Sequence, residues 1–315
     1  MIKILQGNCI DKIKELDDNS IDCVVSSPPY FGLRDYGVNG QFGLEKTYHD
    51  YLANTIKVFE TFKPKLKDTA TIWWNVGDSY SNHKDCKSIG QTLAKGTSRE
   101  KAHEIEKGKS HTRDSKLLKA SGLKDKDLMM MPNRVAIALL DAGWYIRSEI
   151  IWHKPNPMPE SVRDRPTSCH EKIWLITKNK KYYYDHEAIK EQASGRIAGN
   201  KKPQKGTDQR FSETKQGLLK AQQKPYHFKN KRNVWTITTK PCKEAHFATF
   251  PKDLIEPCIK AGCPENGVVL DPFGGSGTTG IVAQSLNRTA ILIELNPEYI
   301  EIAKNRIDKE LGMFQ

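Results

Sequence analysis

The sequence predicts an α/β protein, with a buried sheet covered by helices on both faces. Apolar runs of four to seven residues alternate with amphipathic stretches, which is how strands buried on both sides and their covering helices read. Near the carboxyl end a strand, a glycine-dense loop, a helix and a second strand follow without interruption, forming a β-α-β unit. At 315 residues, the chain is long enough for one large domain or two ordinary ones.

The elements follow in order. Met1 to Gly7 reads as a short strand and a turn, and Ile10, Ile13 and Leu16 mark one helical face. Ile21 to Ser26 is a second strand, halted by Pro28 and Pro29. Further strands are expected at Ala70–Val76, Tyr145–Trp152 and Lys172–Thr177, and helices at Tyr48–Phe62, Asn133–Ala142 and Lys252–Ala261. Gly267 to Asp271 is a buried strand, Thr279 to Leu286 a helix and Thr289 to Ile293 another strand. Pro297 opens the last helix from its first turn, where its missing N–H costs nothing.

Composition narrows the function classes. No run approaches the roughly 20 apolar residues of a membrane helix, and the amino terminus lacks the apolar stretch of a signal peptide, so a cytoplasmic protein is expected. The seven cysteines are scattered and odd in number, as suits a reducing compartment. Cys242, His246, Cys258 and Cys263 offer a nitrogen and sulfur ligand set, but none of their spacings is the tight C-x2-C of a structural zinc site. They are read as small buried hydrophobes, and no metal is expected.

Fifty Lys and Arg against 38 Asp and Glu give a net charge of +12. Residues 82–131 hold a surplus of +5 and residues 186–240 a surplus of +9, which leaves −2 for everything else. Two basic segments thus sit in a near-neutral body, the footprint of a protein that grips a polyanion. The first, residues 81–128, has little apolar periodicity and is expected to be a mobile insert. In the second, residues 186–240, Phe211, Tyr226, His227, Phe228 and Trp235 interleave with the cations, where aromatics can stack on bases or form a small satellite core. Arg196, Lys201, Lys202, Lys205, Arg210, Lys229, Lys231 and Arg232 are the candidate nucleic-acid contacts.

The loop after Leu270 runs Asp271-Pro272-Phe273-Gly274-Gly275-Ser276-Gly277-Thr278-Thr279-Gly280. Its glycines let a ligand approach the backbone, and the helix that follows offers unpaired N–H groups. Glu294, with Asn296 just beyond, ends the next strand where a carboxylate can accept both ribose hydroxyls of a nucleoside. Gly275, Gly277 and Gly280 also satisfy G-x-G-x-x-G, so a dinucleotide is a competitor. With Asp271 placed for a cationic amino-acid end and no Lys after the glycines for phosphates, S-adenosylmethionine is the favoured cofactor.

After the second strand comes Ser26-Ser27-Pro28-Pro29-Tyr30. Paired prolines stiffen the segment and remove two donors, so its carbonyls can accept from something else. With the Ser27 hydroxyl and the flat face of Tyr30, this is a socket for an exocyclic amino group on a planar ring.

Ser27-Pro28-Pro29-Tyr30 followed by the Asp271 to Thr279 loop resembles the amino-methyltransferases of DNA, and this motif order is similar to their permuted beta class. The resemblance covers most of the chain outside the basic segments. It implies a circularly permuted, Rossmann-like S-adenosylmethionine-dependent methyltransferase fold: residues 1–80, 129–185 and 241–315 form the catalytic domain and residues 186–240 the target-recognition region. It further implies that Ser27, Pro28, Pro29 and Tyr30 are catalytic. Asn8, Cys9, Phe250, Asp271, Pro272, Phe273, Gly274, Gly275, Ser276, Gly277, Thr278, Thr279, Glu294 and Asn296 would hold the cofactor. Ile72 to Tyr80 resembles the family's motif after the catalytic strand, and His246 to Pro251 a segment that closes over the methionine end. One departure is Gly7-Asn8-Cys9, where the family usually has Gly-Asp; Asn8 can still accept from adenine through its amide oxygen, with less electrostatic strength.

The implied reaction is methyl transfer to an exocyclic amine of a flipped base in double-stranded DNA, with a companion restriction endonuclease as a possible partner. Ser in the first position resembles the cytosine-N4 subgroup; adenine-N6 is the alternative. An RNA substrate, a dinucleotide-dependent oxidoreductase and a non-catalytic DNA-binding module are the other readings.

Overall fold

A computed structural model describes residues 1–34, 36–82, 121–193, 227–239 and 250–312. These fall into two compact units, Met1–Tyr184 with the chain from Asn233 onward, and Asp185–Arg232. The smaller unit contains a short ribbon, β6 (Glu191–Gln192) and β7 (Phe228–Lys229).

The larger unit is built on an eight-stranded sheet. In chain order its strands are β1 (Ile2–Gln6), β2 (Ile21–Ser26), β3 (Leu66–Val76), β4 (Tyr145–His153), β5 (His170–Thr177), β8 (Val234–Thr236), β9 (Val268–Asp271) and β10 (Thr289–Glu294). Their order across the sheet is β1-β10-β9-β2-β3-β5-β4-β8. From β1 to β3 the neighbours are parallel; β5 then runs antiparallel between β3 and β4, and β8 pairs parallel with β4. The helices are α1 (Cys9–Lys14), α2 (Tyr48–Phe62), α3 (Met131–Asp141), α4 (Lys252–Gly262), α5 (Thr278–Ser285) and α6 (Pro297–Leu311).

Strand alternation sorts the helices into two layers. Trp74 of β3 meets Phe59 of α2 edge to face at 5.0 Å, and Phe59 also meets Trp144 at 5.3 Å. On the opposite face Thr71 donates to the carbonyl of Gly262, at the end of α4, at 2.9 Å. Helix starts follow the sequence. Thr47 and Asp50 form a reciprocal capping box at α2, and Asn296 accepts from Glu298 N ahead of Pro297 at α6. At the amino-terminal edge of the sheet, buried Asp22 takes Lys67 Nζ at 2.8 Å and Val268 N at 2.9 Å, tying β2 to both neighbours.

The expected strands and helices all form, most with ends shifted by a few residues; β3 begins at Leu66, four residues earlier than periodicity indicated. β8 was not foreseen and corrects the reading of residues 186–240. Val234, Trp235 and Thr236 belong to the large sheet, and Trp235 is buried against Trp73 rather than presented to a base. The smaller unit accordingly spans Asp185–Arg232 instead of 186–240. Of the 81–128 segment, the two ends meet, with Tyr80 bridging Leu128 and Ser81 N donating to Asp127 O at 2.8 Å; residues 83–120 lie outside the described residues. Cys258 and Cys263 are buried, while Cys242 and His246 lie outside the described residues. No described helix is long and apolar enough to cross a membrane.

Candidate active site

One edge of the sheet gathers the chemistry. The carboxyl ends of β1, β2, β3, β9 and β10 open into a cleft of about 1070 Å³, where open α/β sheets place their ligands. Asn8, Cys9, Ser27, Pro28, Pro29, Tyr30, Phe250, Asp271, Pro272, Phe273, Gly274, Gly275, Ser276, Thr278, Glu294 and Asn296 all line it.

Gly277 and Thr279, expected among the cofactor contacts, do not line the cleft; they support it from beneath. Gly277 caps α5 at φ +81°, where a Cβ would stand 3.1 Å from that of Ala303. Thr279 donates to Asp271 Oδ2 at 2.5 Å, while Oδ1 takes the Ser26 hydroxyl at 2.5 Å and Phe273 N at 3.0 Å. Asp271 therefore ties the end of β2 to the first turn of α5. Burial pushes its carboxyl up to about 6, and these three donors oppose a larger rise.

Glu294 is held by two N–H groups, from Gly275 at 2.9 Å and from Asn296 at 2.8 Å, and burial raises its carboxyl above the ordinary range. Asn8 points its side-chain oxygen at Ile10 N, 2.9 Å away, capping α1. The oxygen expected to serve a cofactor's adenine thus already has a structural partner. Burial pushes the Cys9 thiol up to about 12, so this cleft-lining cysteine offers no thiolate nucleophile at neutral pH.

Tyr30 is fixed on all sides. Its hydroxyl lies 2.8 Å from Glu171 Oε2, 3.3 Å from Asn75 Oδ1 and 3.3 Å from Ser27 Oγ. Tyr51 donates to the carbonyl of Pro29 at 3.1 Å, locking the double proline from the α2 side. Gly77, just past β3, makes room for the ring, since a Cβ there would stand 2.5 Å from Tyr30 Cε2. Gly77→Ala is therefore expected to displace the ring and lower kcat at least about tenfold in a protein whose circular dichroism is unchanged.

Several residues of the site were not on the sequence list. Arg306 reaches from α6 to bond Ser276 O at 2.6 Å, Ser276 Oγ at 2.5 Å and Thr278 Oγ1 at 3.2 Å, pinning the glycine loop. Its signal was present: Ile300, Ala303 and Arg306 share the buried face of α6, and an Arg on such a face needs buried acceptors. Glu171 and Lys154 had no such signal, because their meeting depends on the β4–β5 register.

Of the candidate nucleic-acid contacts, Lys229, Lys231 and Arg232 lie in the smaller unit. There Arg232 N donates to Glu191 Oε1 at 2.8 Å, and the Arg232 guanidinium stands 3.6 Å from the same carboxylate. Phe228 is exposed. Arg196, Lys201, Lys202, Lys205 and Arg210, with Phe211 and Tyr226, lie outside the described residues.

Comparison with known proteins agrees with this site. The sequence profile of a family described as DNA methylase, the N6/N4 group, matches residues 21–305. The Type II methyltransferase M.SmaI of Serratia marcescens is 44% identical over 97% of this chain and 90% of its own length. M.Cfr9I of Citrobacter freundii is 40% identical over 98% of this chain and 88% of its own. Among solved structures, the cytosine-N4-specific PvuII DNA methyltransferase matches with a TM-score of 0.63 at 18% identity, over 99% of this chain and 91% of that one. A DNA modification methylase of Thermus thermophilus complexed with S-adenosyl-L-methionine matches at 0.57 and 20% identity, over 99% and 96%. A cleft pairing Ser27-Pro28-Pro29-Tyr30 with the Asp271 loop, matched over nearly the whole chain by such relatives, has one family reading: the chain belongs to the N6/N4 DNA methylases, S-adenosylmethionine-dependent enzymes that methylate amino groups of DNA bases.

Proposed function

We propose that the chain methylates the N4 amine of cytosine in double-stranded DNA, with the target base flipped into the cleft. The supporting observation is the joint placement of Ser27, Pro28 and Tyr30 beside the glycine loop and Glu294, in one cleft large enough for a nucleoside cofactor and a base.

The cradle suits S-adenosylmethionine. Asp271 and Glu294 are largely buried carboxylates that take their hydrogen bonds from neutral hydroxyl and N–H donors. Such a pair favours a cationic ligand with a ribose diol and disfavours the phosphates of a dinucleotide. When bound, the cofactor supplies the sulfonium methyl. Glu294 would accept the ribose hydroxyls, and the Asp271 carboxylate would favour the positive amino-acid end. Cation binding selects the ionised form of Asp271, which the free protein half-populates near pH 6. Cofactor affinity is thus expected to fall towards about tenfold per pH unit below that point, with a proton released on binding. Calorimetry in buffers of different ionisation enthalpy measures both.

The amine's lone pair is delocalised into the base ring, which makes it a weak nucleophile. Ser27 Oγ and the Pro28 carbonyl accept its two N–H bonds and favour a tetrahedral nitrogen, so the positive charge that develops there meets oriented acceptors. Tyr30 stacks on the base and adds a cation–π contribution. A paired base hides its amine, so the nucleotide leaves the stack before reaction.

Ser27 rather than Asp or Asn is what favours cytosine-N4 over adenine-N6. The basic stretch from 186 to 232 is assigned to target recognition, and a companion endonuclease follows from the Type II names of the relatives. Binding to duplex DNA is expected to weaken steeply between about 50 and 200 mM salt; a flat response would remove the phosphate role of the basic segment. Competition between duplex DNA and RNA distinguishes the substrate class.

A further inference from the structure

Three residues that the proposed reaction does not use surround Tyr30. Glu171 begins the antiparallel strand β5, Asn75 lies near the end of β3, and Lys154 follows β4. Lys154 pairs with Glu171 Oε1 and sits 4.3 Å above the Trp152 ring, so the carboxylate is clamped from its far side. The other oxygen, Oε2, receives the Tyr30 hydroxyl at 2.8 Å.

The direction of these hydrogen bonds follows from counting donors. Tyr30 has one phenolic hydrogen, and Glu171 Oε2 can only accept when ionised. Asn75 donates through Nδ2 to Lys172 O at 3.1 Å, which turns its Oδ1 toward Tyr30 as a second acceptor. The phenolic hydrogen therefore goes to Glu171 or Asn75, and toward Ser27 the Tyr30 oxygen can only accept. Ser27 stands 3.3 Å away, a long contact of the kind that tightens when substrate is bound. Its hydroxyl hydrogen turns to Tyr30, and its lone pairs turn into the cleft. Burial and the Glu171 charge both raise the Tyr30 phenol well above its ordinary range, so it stays a donor throughout the neutral range.

Resting on the amine-methylation reading above, we propose that Glu171, clamped by Lys154, is a positioning residue that sets the polarity of the Glu171–Tyr30–Ser27 chain, so that Ser27 accepts from the target amine instead of donating to it. An amine attacking a sulfonium methyl must keep its lone pair. A Ser27 hydroxyl turned the other way would donate into that lone pair and oppose the attack. Glu171 thus acts on the reaction through two hydroxyl groups without touching the base.

The test is a double-mutant cycle on the full chain with duplex DNA, reading kcat, KM for DNA and cofactor Kd. Glu171→Gln keeps the shape, and beside the Lys154 ammonium its amide oxygen faces Lys154 while its NH2 faces Tyr30, reversing the local polarity. It is expected to lower kcat about tenfold or more with KM and Kd within about twofold. In a Tyr30→Phe background the same replacement is expected to change kcat by less than about twofold, because the chain is already cut. Adding Lys154→Met to Glu171→Gln frees the amide to turn its oxygen to Tyr30 and should recover part of the loss. Equal losses from Glu171→Gln in both backgrounds, or an unchanged kcat in the first, would overturn the inference while the wild-type protein still methylates. Absence of amine methylation by the wild-type protein would instead remove the reading on which it rests.

Discussion

Ser27→Ala is expected to lower kcat by about 10²–10³ while leaving the cofactor Kd unchanged. The magnitude is that of removing one oriented hydrogen-bonding group from a site where charge develops in the transition state. The fold should tolerate the change, because Ser27 follows the last residue of β2 and its hydroxyl makes a long 3.3 Å contact with Tyr30. The buried structural hydroxyl is its neighbour, Ser26, which bonds Asp271 at 2.5 Å. Ser26→Ala should therefore behave differently, weakening cofactor binding by loosening Asp271. Ser27→Cys, whose sulfur is a weak acceptor, should fall between wild type and Ser27→Ala. Single-turnover kinetics with saturating cofactor separate these cases, and a Ser27→Ala protein with wild-type kcat would remove Ser27 from the chemistry.

The second large effect is expected at Arg306. Replacing it with Met keeps the helical, apolar face of α6 but deletes every bond to Ser276 O, Ser276 Oγ and Thr278 Oγ1. Buried acceptors left without donors cost about 1–3 kcal/mol each, so a stability loss of about 3 kcal/mol is expected in denaturant unfolding. The functional consequence is more specific. Without its anchor, the loop that carries Gly275 N to Glu294 loses its fixed geometry, and cofactor Kd should rise about tenfold or more, with kcat at saturation less affected. Arg306→Lys should recover little, since an ammonium lacks the planar fork that reaches three acceptors. An Arg306→Met protein that binds cofactor like wild type would show that the loop holds its shape unaided.

Much of this site was legible in the sequence because its parts are local. The double proline after β2, the glycines before α5 and Glu294 at the end of β10 each carry their conformation in consecutive residues, and the sheet's parallel half then brings them to one edge. What sequence reasoning missed was decided by tertiary register. Glu171 and Lys154 meet because β4 and β5 pair antiparallel with Trp152 opposite Glu171, and no local pattern gives that register. Trp235 looked like one more aromatic among cations, yet a three-residue strand carries it into the sheet. Gly277 and Thr279 were grouped with the cofactor contacts because they share the motif, although the turn into α5 carries them beneath the loop. Within one motif, residues that touch a ligand and residues that hold the loop look alike in sequence and separate only in three dimensions.

The central claim is that the amine held at Ser27 and Pro28 belongs to cytosine. Incubating the purified protein with duplex DNA and methyl-labelled S-adenosylmethionine, then digesting to nucleosides and separating them, tests it directly. Label in N4-methylcytosine is the predicted result; label in N6-methyladenine would contradict it.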